Sequence, residues 1–563
     1  MATKKKPDSN DIPKNAAEFK KGFAKWLPLL VLSSAVMIII IDTTVLNVSL
    51  RSIVTDLHTN IQGLQWVITG YALTLAALTI TGGRLGDLFG RKKMFMLGAV
   101  IFALGSFITS ISHSIGIMLA GESIIEGVGA ALMMPATASL LVANYRGRDR
   151  AIAFGLWGGI AGAASAIGPI LGGFLTTNFS WRWAFRINIV VALLLLIGAT
   201  FIGESRDNSE KQELDFVGVV LSATGLLAFV YGIIESANYG WWIAKQPFEI
   251  FGHAFAPFGL SVTPIAMLLG MLLLVGFAYW EYYLEKRGHT PLVSLGLFKN
   301  KQFTAGASTV ALMSLGMTGT IFALPVFFQS VQNLDALHTG YALAPMSVAL
   351  LIVAPMSAVL AKHIKPKQLV QIGLLIAVVA SVVIAFLIGP EVTALHIAPG
   401  LLLFGGGLGL VFAQASNMTL SAVPVDQAGE ASGVNNTLRQ VGASFGSAII
   451  GAVVLATLAT SLSSGVKNSP VIPDTIKPQL ASAVSAQASN VELGGGDTSA
   501  TDKLPQHIKT ELTHIAHQAS ADGSRKAMLY TAFFMFTAFL ASFALPSQAT
   551  MEHPEDAAPT AAH

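Results

Sequence analysis

Stretches of about twenty mostly apolar residues, the length that crosses a bilayer as a helix, follow one another along nearly the whole chain. Nothing else in the sequence limits the fold as strongly. Roughly fourteen such spans can be counted. The first six cover about 27–47, 64–83, 94–112, 116–142, 151–175 and 183–203, a central pair about 216–237 and 262–281, and the last six about 304–330, 338–361, 368–389, 396–422, 434–460 and 527–546. Of the 563 residues, 53% are hydrophobic and only 12% are charged, where soluble domains carry about 25% charged residues. In lipid only helices and closed barrels satisfy their own backbone, and spans of this length predict an all-α integral membrane protein.

The loops set the orientation. Alternate connections carry Arg84, Arg91, Lys92 and Lys93, then Arg146, Arg148 and Arg150, then Lys286, Arg287, Lys299 and Lys301, then Lys362, Lys365 and Lys367. Lys and Arg concentrate on the cytoplasmic side, so both termini are expected there. The acidic tail (Glu552, Glu555, Asp556) does not oppose this, because acids contribute little to the rule. The basic N-terminus runs into an apolar stretch too long for a signal-peptide core and has no small-residue cleavage site after it, so a first spanning helix is predicted. The divisions that follow are a tail 1–26, a six-helix bundle 27–203, a linker with an inserted helix pair 204–303, a second six-helix bundle 304–546 with a long outer loop 461–525, and a tail 547–563. That loop is Ala/Ser/Gly-rich and too long for a routine connection. It reads as partly ordered, with amphipathic helices possible over 478–491 and 505–520. The chain has no cysteine, which excludes disulfides and thiolate chemistry. Its net charge of +3 gives no reason to expect a nucleic-acid partner.

Three constellations carry chemistry. A carboxylate, Asp42, follows four isoleucines in the first span; intramembrane acids are costly and functional by default, and desolvation favours the protonated form. Its neighbour Asn47 lies too far round the helix to be a direct partner. In the fourth span Glu122 and Glu126 stand four apart, on one helical face. At that spacing in a dry environment both do not ionise together, so the pair either relays protons, attracts a cation or orients helices. The fifth span repeats glycine at Gly155, Gly158 and Gly162, then reads Gly168-Pro169 and Gly172-Gly173. Small residues let another backbone approach, and proline removes an internal hydrogen bond and permits a bend.

The second-to-third-span loop, Gly83-Arg84-Leu85-Gly86-Asp87-Leu88-Phe89-Gly90-Arg91-Lys92-Lys93, holds three glycines for a tight reversal and an acid near a helix start, where carboxylates are favoured. Polar residues recur in late spans at Gln329 and Gln332, Gln414 and Asn417, and Asn435 and Asn436; they either line a central cavity or bond across helices. Arg439 is the one clear base inside a late span and needs an anionic or carbonyl partner. Glu235 and Glu281 fall near span ends and are expected at the interface. The sequence has no G-x-x-x-x-G-K-[ST] loop for ATP, and Gly405–Gly409 lies in an apolar span where packing is the expectation. No metal-ligand spacing is found among the histidines.

The Gly83–Lys93 loop closely resembles the one joining the second and third helices of the major facilitator superfamily. The fifth-span glycines resemble that family's antiporter signature, and Asp42-Thr43-Thr44-Val45-Leu46-Asn47-Val48 resembles the first-helix signature of its fourteen-span drug:proton antiporters of the QacA/EmrB type. Trp181–Asn188, Pro291–Asn300 and Leu324–Pro345 extend the likeness over most of the chain. It departs at Arg51, where that signature usually ends in proline, and at Ser123, where relatives usually carry arginine. The resemblance implies a proton-coupled multidrug exporter, not an enzyme, that works by alternating access in a bacterial plasma membrane. It implies protons and a lipophilic, cationic small molecule as partners, no cofactor or metal, and action as a monomer. Asp42, Glu126 and Glu122 would couple protons. Gly83, Arg84, Gly86, Asp87, Gly90 and Arg91 would gate, and Gly158, Gly162, Gly168, Pro169 and Gly172 would form the antiporter bend. Gln329, Gln414, Asn417, Asn435 and Arg439 are candidate cavity residues. A specific metabolite exporter on the same fold, and a non-transporting receptor, are the alternatives.

Overall fold

In hydrocarbon each backbone N–H and C=O must find its partner within the chain, and a helix does so segment by segment. The computed structural model describes residues 25–145, 147–204, 215–246, 248–250, 253–289, 291–361, 363–420, 422–423, 428–486 and 505–546, so both tails lie outside the described residues. In chain order the helices are α1 (Leu27–Val48), α2 (Leu50–Asp56), α3 (Ile61–Phe89), α4 (Arg91–Ser110), α5 (Ile115–Met118), α6 (Gly127–Asn144), α7 (Gly147–Asn178) and α8 (Arg182–Gly198). There follow α9 (Phe216–Tyr239), α10 (Val262–Lys286), α11 (Lys301–Ser330), α12 (Ala336–Leu360), α13 (Pro366–Leu387) and α14 (Ala394–Leu420). The last are α15 (Ala428–Asn468), α16 (Lys477–Ala486) and α17 (Gln506–Ser542). A π-helical stretch, Leu119–Glu126, joins α5 to α6.

Among the described residues twelve helices are long and apolar enough to cross a membrane. Helices α7, of 32 residues, and α17, of 37, are long as well but stand outside those twelve. Helices α1, α3, α4, α6, α7 and α8 pack into one bundle, and α11, α12, α13, α14, α15 and α17 into another. The bundles meet where α3 lies on α15 and α7 on α12. Helices α9 and α10 pack on each other, and α9 also rests on α3 and α15.

Small residues make the helix crossings close. Added Cβ atoms at Gly373 (α13) and Gly407 (α14) would each lie 2.6 Å from the other residue's carbonyl oxygen, so the glycine run at Gly405–Gly409 serves backbone approach.

Two connections are built up. The first joins α9 to α10. It contains a two-stranded antiparallel hairpin, β1 (Phe248–Ile250) and β2 (His253–Phe255), held down by Phe248 edge-on against the rings of Tyr231 and Tyr239. The second is the long segment between α15 and α17, which carries helix in its described parts. Helix α15 runs on to Asn468 and α17 begins at Gln506, and with α16 they enclose their own apolar core of Leu458, Leu462, Val466, Ile472, Ala481, Ile508, Ile515 and Ala519. Ile508, Ile515 and Ala519 recur at helical spacing and give α17 its inward stripe. Residues 487–504 lie outside the described residues.

Candidate functional site

Four elements of the first bundle converge on one buried polar cluster. Asp42 comes from α1, Glu122 and Glu126 from the π-helical stretch, Ser106 from α4 and Asn188 from α8. Asp42 is 2% exposed and both glutamates 0%. One carboxylate oxygen from each acid lies within 4.8 Å of the others. Asn188 Nδ2 donates to Asp42 Oδ1 at 2.7 Å and to Glu126 Oε1 at 3.1 Å, and Ser106 Oγ donates to the same Glu126 oxygen at 2.6 Å. Glu122 stands in side-chain hydrogen-bonding position beside both Asp42 and Glu126. A contact between two carboxyl groups is a hydrogen bond only when one of them holds a proton.

The sequence builds this cluster through a backbone irregularity and a glycine. Widening the helix to i→i+5 bonds keeps Glu122 and Glu126 on one side, and π-helical turns are frequent at functional sites. An added Cβ at Gly105 of α4 would meet Glu126 Cα at 2.7 Å, and one at Gly121 would meet the Thr109 backbone N at 2.9 Å. These two glycines let α4 and the π-helical stretch touch. Asp42 Oδ2, both Glu122 oxygens and Glu126 Oε2 have no hydrogen-bond partner of the ordinary donor type among the described residues, and neither has Tyr71 Oη nearby. No Lys or Arg pairs with the three acids in an ion pair among the described residues. Three charges this close in a dry interior repel one another by several kcal/mol, so the cluster is stable only when it carries protons or another cation. The donor set is all hard oxygen, which protons and alkali cations both suit. Asn188 was missed as a chemical residue in the sequence. Its only signal is an amide two turns into an apolar helix.

Where α1 ends and α3 begins, the bundles are tied together. Gln329 is not free to line a cavity: Arg51 N donates to its Oε1 at 2.9 Å and its Nε2 donates to Val48 O at 2.8 Å. Proline in place of Arg51 has no N–H, so the departure at this position supplies a bond the usual residue cannot make. Gln65 Nε2 donates to the carbonyls of Ser447 and Ala448 at 3.1 and 3.0 Å, and Thr69 and Ser447 hydroxyls pair at 2.8 Å. Gly168, Pro169 and Gly172 are buried. A Cβ at Gly340 of α12 would come within 2.9 Å of the Pro169 carbonyl carbon, and one at Gly172 within 2.9 Å of Val45 Cα, so the Gly-Pro stretch of α7 is packed between α1 and α12. The surroundings of Gly158 and Gly162 lie outside the described residues.

The second-to-third-helix loop is shorter than its three glycines suggest. Gly83 and Gly86 are helical, and the whole reversal falls on Gly90, at φ +109°, a conformation glycine alone adopts readily. Glu204, which sequence reasoning missed, lies 3.0 Å from where a Gly90 Cβ would sit and accepts a hydrogen bond from Lys92 N at 3.0 Å. Its signal is an acid just past the sixth span, near the basic loop. Lys92 Nζ donates to Ile202 O at 3.0 Å and Arg84 Nη2 to Pro291 O at 2.9 Å. The Asp87 side chain lies outside the described residues. Arg91 packs through its Cγ near Gly86.

Gln414 donates to Ser357 Oγ at 3.3 Å, which makes it a bridge from α14 to α12. The Asn417 side chain lies outside the described residues. Asn435 is buried with its Oδ1 unpaired. Arg439 Nη2 donates to Asn436 Oδ1 at 3.4 Å, and its guanidinium stands 5.9 Å from the Phe412 ring. Glu281 is 0% exposed, accepts from Val293 N at 3.1 Å and lies beside Asp215, where α9 begins and α10 ends; the chain after α10 folds back and covers it. Glu235 is half-buried and accepts from Trp66 Nε1 at 2.9 Å and Gln62 Nε2 at 3.3 Å, which pins α9 to α3. At the protein surface Asp56 bonds Arg182 and accepts from Trp181 Nε1 at 3.0 Å. Partial burial pushes the Asp56 carboxyl up, but the bonds from Arg182 and Trp181 outweigh it and hold the group below its usual range.

A chain of membrane-crossing helices, folded as two bundles around a buried carboxylate cluster, is a transporter fold rather than an enzyme, and the Major Facilitator Superfamily model matches residues 32–447. The chain belongs to that superfamily and is a multi-pass membrane transporter. Its relatives include the tetracenomycin C resistance and export protein of Streptomyces glaucescens, 27% identical over 81% of this chain and 80% of the relative. The multidrug resistance protein Stp of Mycobacterium tuberculosis is 26% identical over 92% of this chain and 91% of its own. The multidrug efflux pump LfrA of Mycolicibacterium smegmatis is 28% identical over 91% and 94%. Among solved structures, a bacterial homolog of the human lysosomal transporter Spinster matches with TM-score 0.58 at 14% identity, covering 93% of this chain and 98% of that one.

Proposed function

We propose that the chain is a proton-coupled multidrug exporter of a bacterial plasma membrane, with fourteen spans, both termini in the cytoplasm and a monomeric working unit. Counting α7 and α17 with the twelve apolar helices gives fourteen, and α9–α10 is then the inserted pair. One observation carries the proton reading: the carboxylates of Asp42, Glu122 and Glu126 meet within 4.8 Å in a buried site. A proton entering from outside neutralises this cluster and lets substrate leave; its release inside restores an anion that attracts a lipophilic cation. The two bundles rock about a midplane cavity, giving alternating access. The export direction is supported by the Gly168-Pro169 stretch, packed against Gly340 of α12, and by the resistance and efflux roles named for the relatives.

Inverted vesicles loaded with a cationic dye test this. Asp42→Asn should insert normally, judged by yield and gel-filtration profile, yet lose its response to an imposed pH gradient; a retained response removes Asp42 as the coupling group. Replacing sodium by choline should leave wild-type coupling unchanged. A sodium requirement would assign the oxygen cluster to an alkali cation instead.

A further inference from the structure

Arg439 sits eleven residues into α15, about 16 Å from its inner end at 1.5 Å per residue. A base at that depth is expensive unless an anion or several acceptors answer it. Yet among the described residues one of its donors is engaged, in a long bond to Asn436 Oδ1 at 3.4 Å. No carboxylate lies within ion-pair distance of it among the described residues.

The other sides of α15 are occupied. Val441 and Phe445 pack with Leu226, Val230 and Ile233 of α9. Gly442 and Gly446 take the backbone of α11 at Ala311 and Leu315, and Ser447 meets Thr69 of α3. Arg439 lies on the side of α15 opposite Val441 and α9, the side it shares with Gly446, and its guanidinium stands 5.9 Å from the Phe412 ring of α14. Asn435, one turn earlier on the same face, presents a buried Oδ1 without a partner. This side therefore offers a guanidinium fork with free donors and an aromatic ring beside it. A planar fork of N–H groups matches a carboxylate bidentately, and the ring suits a flat apolar body.

We propose that Arg439 is an anion-recognition residue, and that the exporter takes amphipathic aromatic compounds carrying a carboxylate or similar oxyanion as well as lipophilic cations. This rests on the exporter reading above and names part of its substrate class. The carboxylates of the first bundle face cationic groups, and Arg439 in the second faces anionic ones.

Equilibrium binding to the full-length protein in lipid nanodiscs tests it with two xanthene dyes, one with a free benzoate and the other its methyl ester. Arg439→Gln should weaken the acid dye at least about tenfold, the loss of one charge-assisted contact, and the ester by less than about twofold. Arg439→Lys, which keeps the charge without the fork, should fall between and controls for folding. Equal weakening of both dyes in Arg439→Gln overturns the proposal, as does a wild type that fails to bind the acid dye. Asp42→Asn should change the affinities for the acid dye and its ester by the same factor, whereas Arg439→Gln should change their ratio, so failure of the proton reading and failure of this one give different results.

Discussion

The two bundles share a helix count and a packing style, but their interiors hold opposite chemistry. The first buries Asp42, Glu122 and Glu126 together at exposures of 2% or less. The second buries no acid among its described residues. Its core is Phe327, Phe328, Phe404 and a run of Leu, Val and Met, with the single base Arg439 on its inner side. A fold built from two similar halves thus buries carboxylates in one half and leaves the other an apolar, aromatic wall. The reason is local. The first bundle has Gly105 and the π-helical stretch, which bring carboxylates from two helices into contact, and Asn188 and Ser106 to hold them. The corresponding close approaches in the second bundle, at Gly442 and Gly446, bring α15 onto bare backbone of α11.

The largest test of this asymmetry is the pair Asp42→Asn and Arg439→Gln. The first should abolish pH-gradient-driven export of a cationic dye, and the second should retain it, as measured by fluorescence in inverted vesicles. Loss of gradient response in both would merge the two roles. Next, Gly105→Val and Gly442→Val both overpack a helix crossing and should each cost about 1–3 kcal/mol, read as a lower unfolding temperature in detergent. Only Gly105→Val, whose Cβ would meet Glu126, should also uncouple efflux from the gradient.

Asn188→Ala removes both amide bonds to the acids. At about 1–2 kcal/mol for a donor lost from a charged partner it should slow proton-driven efflux roughly tenfold while dye binding stays intact. Glu281→Gln alters a buried acid outside the cluster and should leave coupling unchanged, which separates burial alone from membership of the cluster. The smallest effect is at the protein surface. The Asp56 carboxyl is held below its usual range, so its pairing with Arg182 is complete at neutral pH, persists through the ordinary carboxylate range, and is lost only as pH falls through the lowered value. Since Asp56 is about half exposed, Asp56→Asn should cost about 0.5 kcal/mol or less, and its stability should converge with wild type in strong acid.

Much of the fold was legible because lipid imposes a length and a composition on every span, and the helix positions follow the apolar stretches closely. The acids were legible for the same reason: a carboxylate after four isoleucines is conspicuous. What pattern could not supply is who meets whom. Asn188 belongs to a recognisable stretch before the sixth span, but its role depends on α8 packing on α1 and α4, which carries its amide to Asp42 and Glu126. Gln329 reads as a cavity residue until the free N–H of Arg51, a helix away, claims it. Glu281 reads as an edge residue because sequence position does not reveal that the chain beyond α10 turns back over it. The π-helical stretch itself carries no periodic signal in eight residues.

The central claim is that a buried carboxylate cluster exchanges protons for substrate, and proton release on binding tests it most directly. Purified protein in a weakly buffered solution should release protons when a cationic dye binds, and Asp42→Asn should bind the dye weakly or release none. Dye binding to the wild type with no proton released, or the same release from Asp42→Asn, would contradict the account.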